Sequence, residues 1–98
     1  MSKKTTDVSN FALAGFGRFG RLHANVIANY PSSRLLAIAE PNQLAFEQAS
    51  KEFPETAIFK DPFRMMEEVD VDAISIVSPE PTHAELVWGS LNKDIHVF

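Results

Sequence analysis

The chain has 98 residues, 45% hydrophobic and 22% charged, which is typical of a globular protein with one small domain or part of one. Its net charge of −4 argues against nucleic acid and anionic membranes as partners, because both bind basic surfaces. It has no cysteine, which excludes disulfides, thiolate metal sites and a cysteine nucleophile. No apolar run is long enough to span a membrane and residues 1–9 are polar, so we expect a flexible N-terminus on a cytoplasmic protein.

The first predicted elements are a strand at 10–14 and a helix at 19–30. Alternation along the strand places Phe11 and Leu13 on one face, opposite the alanines between and after them. The helix ends before Pro31, and its apolar residues have the spacing of a single face. The residues on this face, which we expect to be buried, are Phe19, Leu22, His23, Val26, Ile27 and Tyr30. His23 is therefore interpreted as a packing residue, and the aromatic residues Phe19, Tyr30 and Trp88 as core rather than as stacking platforms.

The remaining elements continue the alternation of strand and helix. Strands are predicted at 34–40, 56–59, 72–78 and 95–98, and helices at 43–53, from 62 onwards and at 81–93. Asp61 is the expected N-cap of the helix that begins at Pro62, with Phe63, Met66 and Val69 on its buried side. The run at 72–78 is continuous and rich in β-branched residues, which is typical of a parallel strand covered on both faces.

This order predicts an α/β fold of the Rossmann type, with a doubly wound parallel sheet of about five strands in the order 3-2-1-4-5. Ligands of such sheets bind beyond the carboxyl ends of the strands, where the strand order reverses. Three loops are expected to converge there: 15–20, 40–43 and 78–83.

A glycine motif, G-x-G-x-x-G, joins the first strand to the first helix. Gly15 is expected to make the tight turn, Gly17 to let a pyrophosphate approach the backbone, and Gly20 to let the helix lie close to the sheet. The amides of Arg18 and Phe19 then face the phosphate from a helix N-terminus, which favours anions. The alternative is an ordinary turn between a strand and a helix.

An acidic residue, Glu40, ends the second strand 20 positions after Gly20, close to the spacing of the acid that binds the adenosine ribose. Its carboxylate would repel a 2′-phosphate, so NAD is favoured over NADP. The alternative is a solvated residue at a strand end. His83 follows the fourth strand and is assigned equally to helix capping or packing and to cofactor contact. The histidine spacing supports no metal site.

Four segments, "GFGRFGRLHANVI", "IAEPN", "VDAISIVSPEPTHAELVWGSL" and "HVF", resemble the N-terminal domain of the Gfo/Idh/MocA oxidoreductase family, from about residue 10 to the last residue. The resemblance implies a nicotinamide cofactor and hydride transfer to or from a sugar, cyclitol or related polyol. The cofactor-binding residues that it implies are Gly15, Phe16, Gly17, Arg18, Phe19 and Gly20 at the pyrophosphate, Glu40, Pro41 and Asn42 at the adenosine ribose, and Ser78, Pro79, Glu80, Thr82 and His83 toward the nicotinamide.

The resemblance also implies what a 98-residue chain lacks. In the family a Glu-Lys-Pro segment that includes the catalytic lysine follows the strand beginning "HVF", and a separate C-terminal domain binds the substrate. We therefore assign no catalytic residue here, and expect residues 10–98 to be an incomplete dinucleotide-binding domain, inactive alone. A homo-oligomer is compatible with this assignment. The alternatives are a non-catalytic nucleotide-binding or interaction module and, less favoured by the third glycine, an adenosylmethionine-dependent methyltransferase.

Overall fold

The computed structural model describes residues 8–77, 89 and 95–97. Within them strands and helices alternate as predicted up to the fourth strand, with bounds that differ from the predicted ones by one or two residues. The helix predicted at 81–93 lies outside the described residues, apart from residue 89. The strands are β1 Ser9–Ala14, β2 Ser33–Ala39, β3 Ala57–Phe59, β4 Ala73–Ile76 and β5 His96–Val97. The helices are α1 Arg18–Asn29, α2 Gln43–Glu52 and α3 Pro62–Glu68.

The five strands form one sheet in the order β3-β2-β1-β4-β5, and every neighbouring pair is parallel. The predicted Rossmann-type topology is therefore confirmed. β1 lies at the centre, and the strand order reverses between β1 and β4. The carboxyl ends of β1 and β2 lie side by side, since Ala14 pairs with Ala39, and the loops that follow both strands start at the same edge of the sheet.

Apolar residues on the two faces of the sheet form two separate core clusters. Leu13 lies in the cluster under α1 and α2, and Phe11 packs against it, whereas Ala12 and Ala14 belong to the cluster under α3. The predicted alternation along β1 is thus confirmed. On the α3 side, Met66 is buried as predicted, with a second buried methionine, Met65, that the helical spacing did not identify.

The predicted buried face of α1 is wrong. The helix buries its small residues Gly20 and Ala24 together with Ile27, whereas five of the six residues predicted to be buried are exposed. These five are Phe19, Leu22, His23, Val26 and Tyr30. The physical reason is a close approach at Gly20, described below, which turns the small side of the helix toward the sheet.

His23 lies beside this helix face, and its Nδ1 is 2.9 Å from Oγ of the buried Ser75 on β4. Its side chain has a hydrogen-bond partner but is exposed, so the prediction that His23 is a packing residue is wrong. Trp88 lies outside the described residues.

Candidate cofactor-binding site

The turn after β1 is held by two of the three motif glycines. Gly15 has a φ of +103°, in the left-handed region that favours glycine, and its amide donates to the carbonyl of Ala39 at 2.8 Å. A Cβ placed on Gly20 would lie 1.9 Å from the carbonyl oxygen of Gly15, far inside any allowed contact. The protein's own backbone therefore requires glycine at both positions.

The middle glycine differs, because none of the residues that the structure describes occupies the space beside it. A Cβ on Gly17 would meet no atom within 4 Å, and its φ of −75° is open to any residue. Gly17 is the N-cap of α1 and provides no side-chain hydrogen bond to the helix. The first backbone amides of α1 therefore begin at an open surface, beside the exposed residues Arg18 and Phe19.

Phe16 contributes to the turn in a way that the sequence did not indicate. Its side chain is buried in the core under α1 and α2 and meets the ring of Phe53 edge-on, with centroids 5.9 Å apart. The side chain therefore anchors the turn from below. Only the backbone of Phe16 is left to face the site.

Glu40 joins the two loops at this edge of the sheet. Its carboxylate is largely buried and accepts hydrogen bonds from the amide of Phe16 at 2.7 Å and from the amide of Asn42 at 2.8 Å. It is therefore not a solvated residue at a strand end. Because each carboxylate oxygen has a second lone pair, the group can also accept from a ligand hydroxyl.

The residues that follow Glu40 form the start of α2. Pro41 is exposed, and Asn42 caps the helix, because its Oδ1 accepts from the amide of Ala45 at 3.1 Å. The side chain of Asn42 is thus already engaged by the protein. The loops 15–20 and 40–43 are in contact, as the hydrogen bond between Phe16 and Glu40 shows.

Lys60 is a site neighbour that the sequence analysis missed. The amide of Glu40 donates to the carbonyl of Phe59, and Lys60 follows directly. Its ammonium group donates to the side chain of Gln43 and lies 4.9 Å from the centroid of the Phe46 ring. The pairing of β2 with β3 brings this cation close to α2, and only the predicted neighbourhood of these strands could have indicated it.

Five predicted site residues lie outside the part of the chain that the structure describes: Ser78, Pro79, Glu80, Thr82 and His83. Among the described residues, no group of three or more histidine or acidic side chains could hold a metal ion. Within the same ranges, no helix has the length and apolar character needed to cross a membrane.

Comparison with known proteins identifies the family and its fold. The Gfo/Idh/MocA family, described as an oxidoreductase family with an NAD-binding Rossmann fold, matches residues 9–98. The chain belongs to this family. The resemblance noted in the sequence is therefore confirmed over nearly the whole chain.

Characterised relatives of this Gfo/Idh/MocA chain include inositol dehydrogenases. It is 31% identical to the NAD⁺-dependent scyllo-inositol 2-dehydrogenase of Bacillus subtilis over 89% of this chain and 26% of that protein. It is 30% identical to the myo-inositol 2-dehydrogenase of Thermotoga maritima over 86% of this chain and 25% of that protein. The chain thus spans about a quarter of the length of these relatives.

A solved structure of Lactobacillus casei scyllo-inositol dehydrogenase, with bound NAD(H) and scyllo-inositol, has the same fold. It superposes with a TM-score of 0.85 at 31% identity, over 94% of this chain and 27% of that one.

Proposed function

We propose that this chain is the NAD(H)-binding part of an oxidoreductase that moves hydride between the nicotinamide ring and a carbon of a polyol such as an inositol. Bound nicotinamide would supply the hydride chemistry, and the described residues would bind and orient the cofactor. Relatives named for inositol oxidation, of which the chain spans a quarter, support this proposal. The residues that bind the polyol and transfer its proton would then lie in further polypeptide.

The observation that carries the proposal is the open backbone at Gly17. Fold geometry explains the glycines at 15 and 20 but not this one, since no atom of the described residues lies within 4 Å of its Cβ position. A ligand that comes close to the backbone does explain it. The ligand would be anionic, because α1 begins at Gly17 without a side-chain cap and without an acidic residue in its first turn. A pyrophosphate satisfies both conditions.

The preference for NAD over NADP rests on Glu40. Its carboxylate is held in place by two backbone amides, so it would meet the adenosine ribose as a fixed acceptor of hydroxyl hydrogen bonds. A 2′-phosphate on that ribose would be repelled by the same charge. The nearby cation of Lys60 is already engaged by Gln43 and the Phe46 ring, which leaves it poorly placed to offset this repulsion.

The proposal extends to residues outside the described part of the chain. We propose, as the family resemblance implies, that Ser78, Pro79, Glu80, Thr82 and His83 lie near the nicotinamide. A cytoplasmic location, a homo-oligomeric assembly and the absence of nucleic-acid or membrane partners also belong to the proposal.

Titration of the purified chain with NADH, NADPH and adenosylmethionine, each followed by calorimetry, tests the proposed function. We expect NADH to bind more tightly than NADPH and adenosylmethionine not to bind. Gly17→Ala should weaken NADH at least about tenfold, or 1.4 kcal/mol, because the added methyl group occupies the space for the pyrophosphate.

The control for this titration is Asn29→Ala at the far end of α1, which should leave NADH affinity unchanged. Equal NADH affinity in the wild type and in a folded Gly17→Ala protein would contradict the proposed site. Tight adenosylmethionine binding would contradict the oxidoreductase assignment and would indicate a methyltransferase.

A further inference from the structure

Two side chains of α2 hold Lys60 at the edge of the proposed ribose site. Its ammonium group donates to Oε1 of Gln43 and lies 4.9 Å from the centroid of the Phe46 ring. Gln43 and Phe46 are three positions apart, so they lie on the same side of the helix. Lys60 and Gln43 are exposed and Phe46 is half-buried, so these contacts lie at the protein surface, where an approaching ligand would meet them.

Glu47 orients the Gln43 amide in this arrangement. Nε2 of Gln43 donates to Oε2 of Glu47 at 2.7 Å, four positions further along α2. A carboxylate only accepts hydrogen bonds and an ammonium group only donates them, so this orientation of the amide is the one that satisfies both neighbours. Glu47, Gln43 and Lys60 thus form a chain of hydrogen bonds that fixes the ammonium group on the α2 side.

Lys60 and the carboxylate of Glu40 lie on opposite sides of the end of β2. The amide of Glu40 donates to the carbonyl of Phe59 at 2.8 Å, so Lys60 begins about 4.8 Å, one strand spacing, away on the β3 side. The Glu40 carboxylate accepts from the amide of Phe16, on the β1 side. A ribose bound at this carboxylate would therefore have Lys60 on its other side, within the range of a flexible four-carbon stem released from α2.

The 2′ position of that ribose is where the placement of this cation matters. NADH has a hydroxyl group there, whereas NADPH has a phosphate that is close to a dianion at neutral pH. An ammonium group turned toward the ribose would attract the phosphate and offset its repulsion by Glu40. An ammonium group held on α2 does so much less, because exposed charges are screened as their separation grows.

We infer that Gln43 and Phe46 determine cofactor specificity: by holding Lys60 on α2, they keep this cation from a 2′-phosphate and increase the preference of the site for NADH over NADPH. Gln43 and Phe46 are then positioning residues, and Lys60 is a binding residue for the 2′-phosphate only when it is released. The inference rests on the proposed function, because it concerns cofactor choice at the proposed site.

A purely structural role of the same contacts gives a different expectation. If Lys60 only joined β3 to α2, its loss would lower the stability of the fold and weaken both cofactors alike. The ratio of NADPH affinity to NADH affinity would then stay constant. This ratio therefore separates a role in specificity from a role in stability.

Nuclear magnetic resonance of the isotope-labelled chain without cofactor tests whether Lys60 is held. Protons above the face of an aromatic ring are shifted upfield by its ring current, so the ε-methylene protons of Lys60 should be shifted upfield in the wild type. We expect this shift to disappear in Phe46→Leu, which keeps an apolar side chain at the position. Lys51, at the last turn of α2, is the control and should have the same signals in both proteins. Identical Lys60 signals in the two proteins overturn the inference.

A double-mutant cycle tests the effect on specificity. Calorimetry measures NADH and NADPH binding to the wild type, Gln43→Leu, Lys60→Met and the double variant. Gln43→Leu removes the acceptor of the ammonium group, so the ratio of NADPH to NADH affinity should rise about fivefold at low salt, the scale of one exposed ion pair. The rise should vanish at high salt. Lys60→Met should change the ratio less than about twofold in the wild type, yet abolish the whole rise in Gln43→Leu.

Lys51→Met in the Gln43→Leu background is the matched control, because it removes a lysine about 12 Å further along α2. It should leave the raised ratio unchanged. If NADH binds but the ratio does not rise in Gln43→Leu, or Lys60→Met has the same effect in both backgrounds, the inference is overturned and the proposed function stands. If the wild type binds neither cofactor, the proposed function is contradicted and the inference falls with it.

Discussion

The described helices begin in two different ways. α2 is capped by Asn42, whose side chain accepts from the amide of Ala45, and α3 is capped by Asp61, whose side chain accepts from the amide of Phe63 at 2.9 Å. α1 begins at Gly17 with no side chain to serve as a cap. All helix N-termini share the same unpaired amides and positive dipole end. Side chains of the protein cap the N-termini of α2 and α3 and leave the N-terminus of α1 uncapped. A site for a phosphate-bearing ligand requires such an uncapped N-terminus.

Gly20→Ala should lower the free energy of unfolding more than any other variant considered, because it displaces the open end of α1 from the Gly15 turn. The new Cβ would overlap the carbonyl oxygen of Gly15, so the helix has to move. We expect a loss of about 3 kcal/mol in the free energy of unfolding, measured by urea denaturation. Gly17→Ala is the matched control and should cost less than about 1 kcal/mol. Equal losses in the two variants would show that the contact at Gly20 is not tight in solution.

Glu40→Ala should have the next largest effect, because it removes the acceptor shared by the amides of Phe16 and Asn42. We expect unfolding to become easier by about 2 kcal/mol, the usual scale for hydrogen bonds to a charged group. NADH affinity should fall as well, since the glycine turn loses its brace. Glu55→Ala changes an exposed carboxylate and should alter neither quantity. An unchanged stability for Glu40→Ala would contradict the bracing role.

Asp61→Ala should cost about 1 kcal/mol of unfolding free energy, because it removes the cap of α3. NADH affinity should stay within about twofold of the wild type, since this cap serves only the fold. Thermal unfolding and calorimetric titration of the same variant measure the two quantities. A large loss of NADH affinity would place the end of α3 in the cofactor site and would remove the contrast between the helix ends.

Gly17→Asp should have the smallest effect on stability and an opposite effect on binding. An aspartate at this N-cap should stabilise the folded chain by a few tenths of a kcal/mol, because the backbone there is extended and unobstructed. The carboxylate would also occupy and repel the pyrophosphate, so NADH affinity should fall by more than about tenfold. Gly17→Ser is the control for charge, because serine can cap the helix without adding a negative charge. If Gly17→Asp binds NADH normally, the end of α1 is not the phosphate site.

Local signals predicted much of this fold because they act over a few residues. The N-cap at Asp61, the alternation on β1 and the glycine spacing after it each depend on near neighbours in the chain. The position of Glu40 at the end of β2 followed from the same local pattern. Its hydrogen bond to Phe16, 24 positions away, did not, because it depends on the lateral pairing of two strands.

The α1 helix shows the boundary between local and tertiary information. Apolar residues occupy more than one side of this helix. From their spacing alone, the side with the large residues was predicted to be buried. The tertiary structure buries the side with Gly20 and Ala24, because only small residues allow the helix to approach the Gly15 turn. The large residues were thereby left exposed on the other side of the helix.

Sequence by itself determined the order of the elements, the parallel sheet, the glycine turn and the family, because period, caps and turn residues encode them locally. Tertiary structure alone decided which side of α1 is buried, that Glu40 braces the glycine turn, and that Lys60 stands beside Gln43. These three features depend on contacts between residues distant in the chain. The physical reason is that strand pairing and close packing select among surfaces that local patterns leave equivalent.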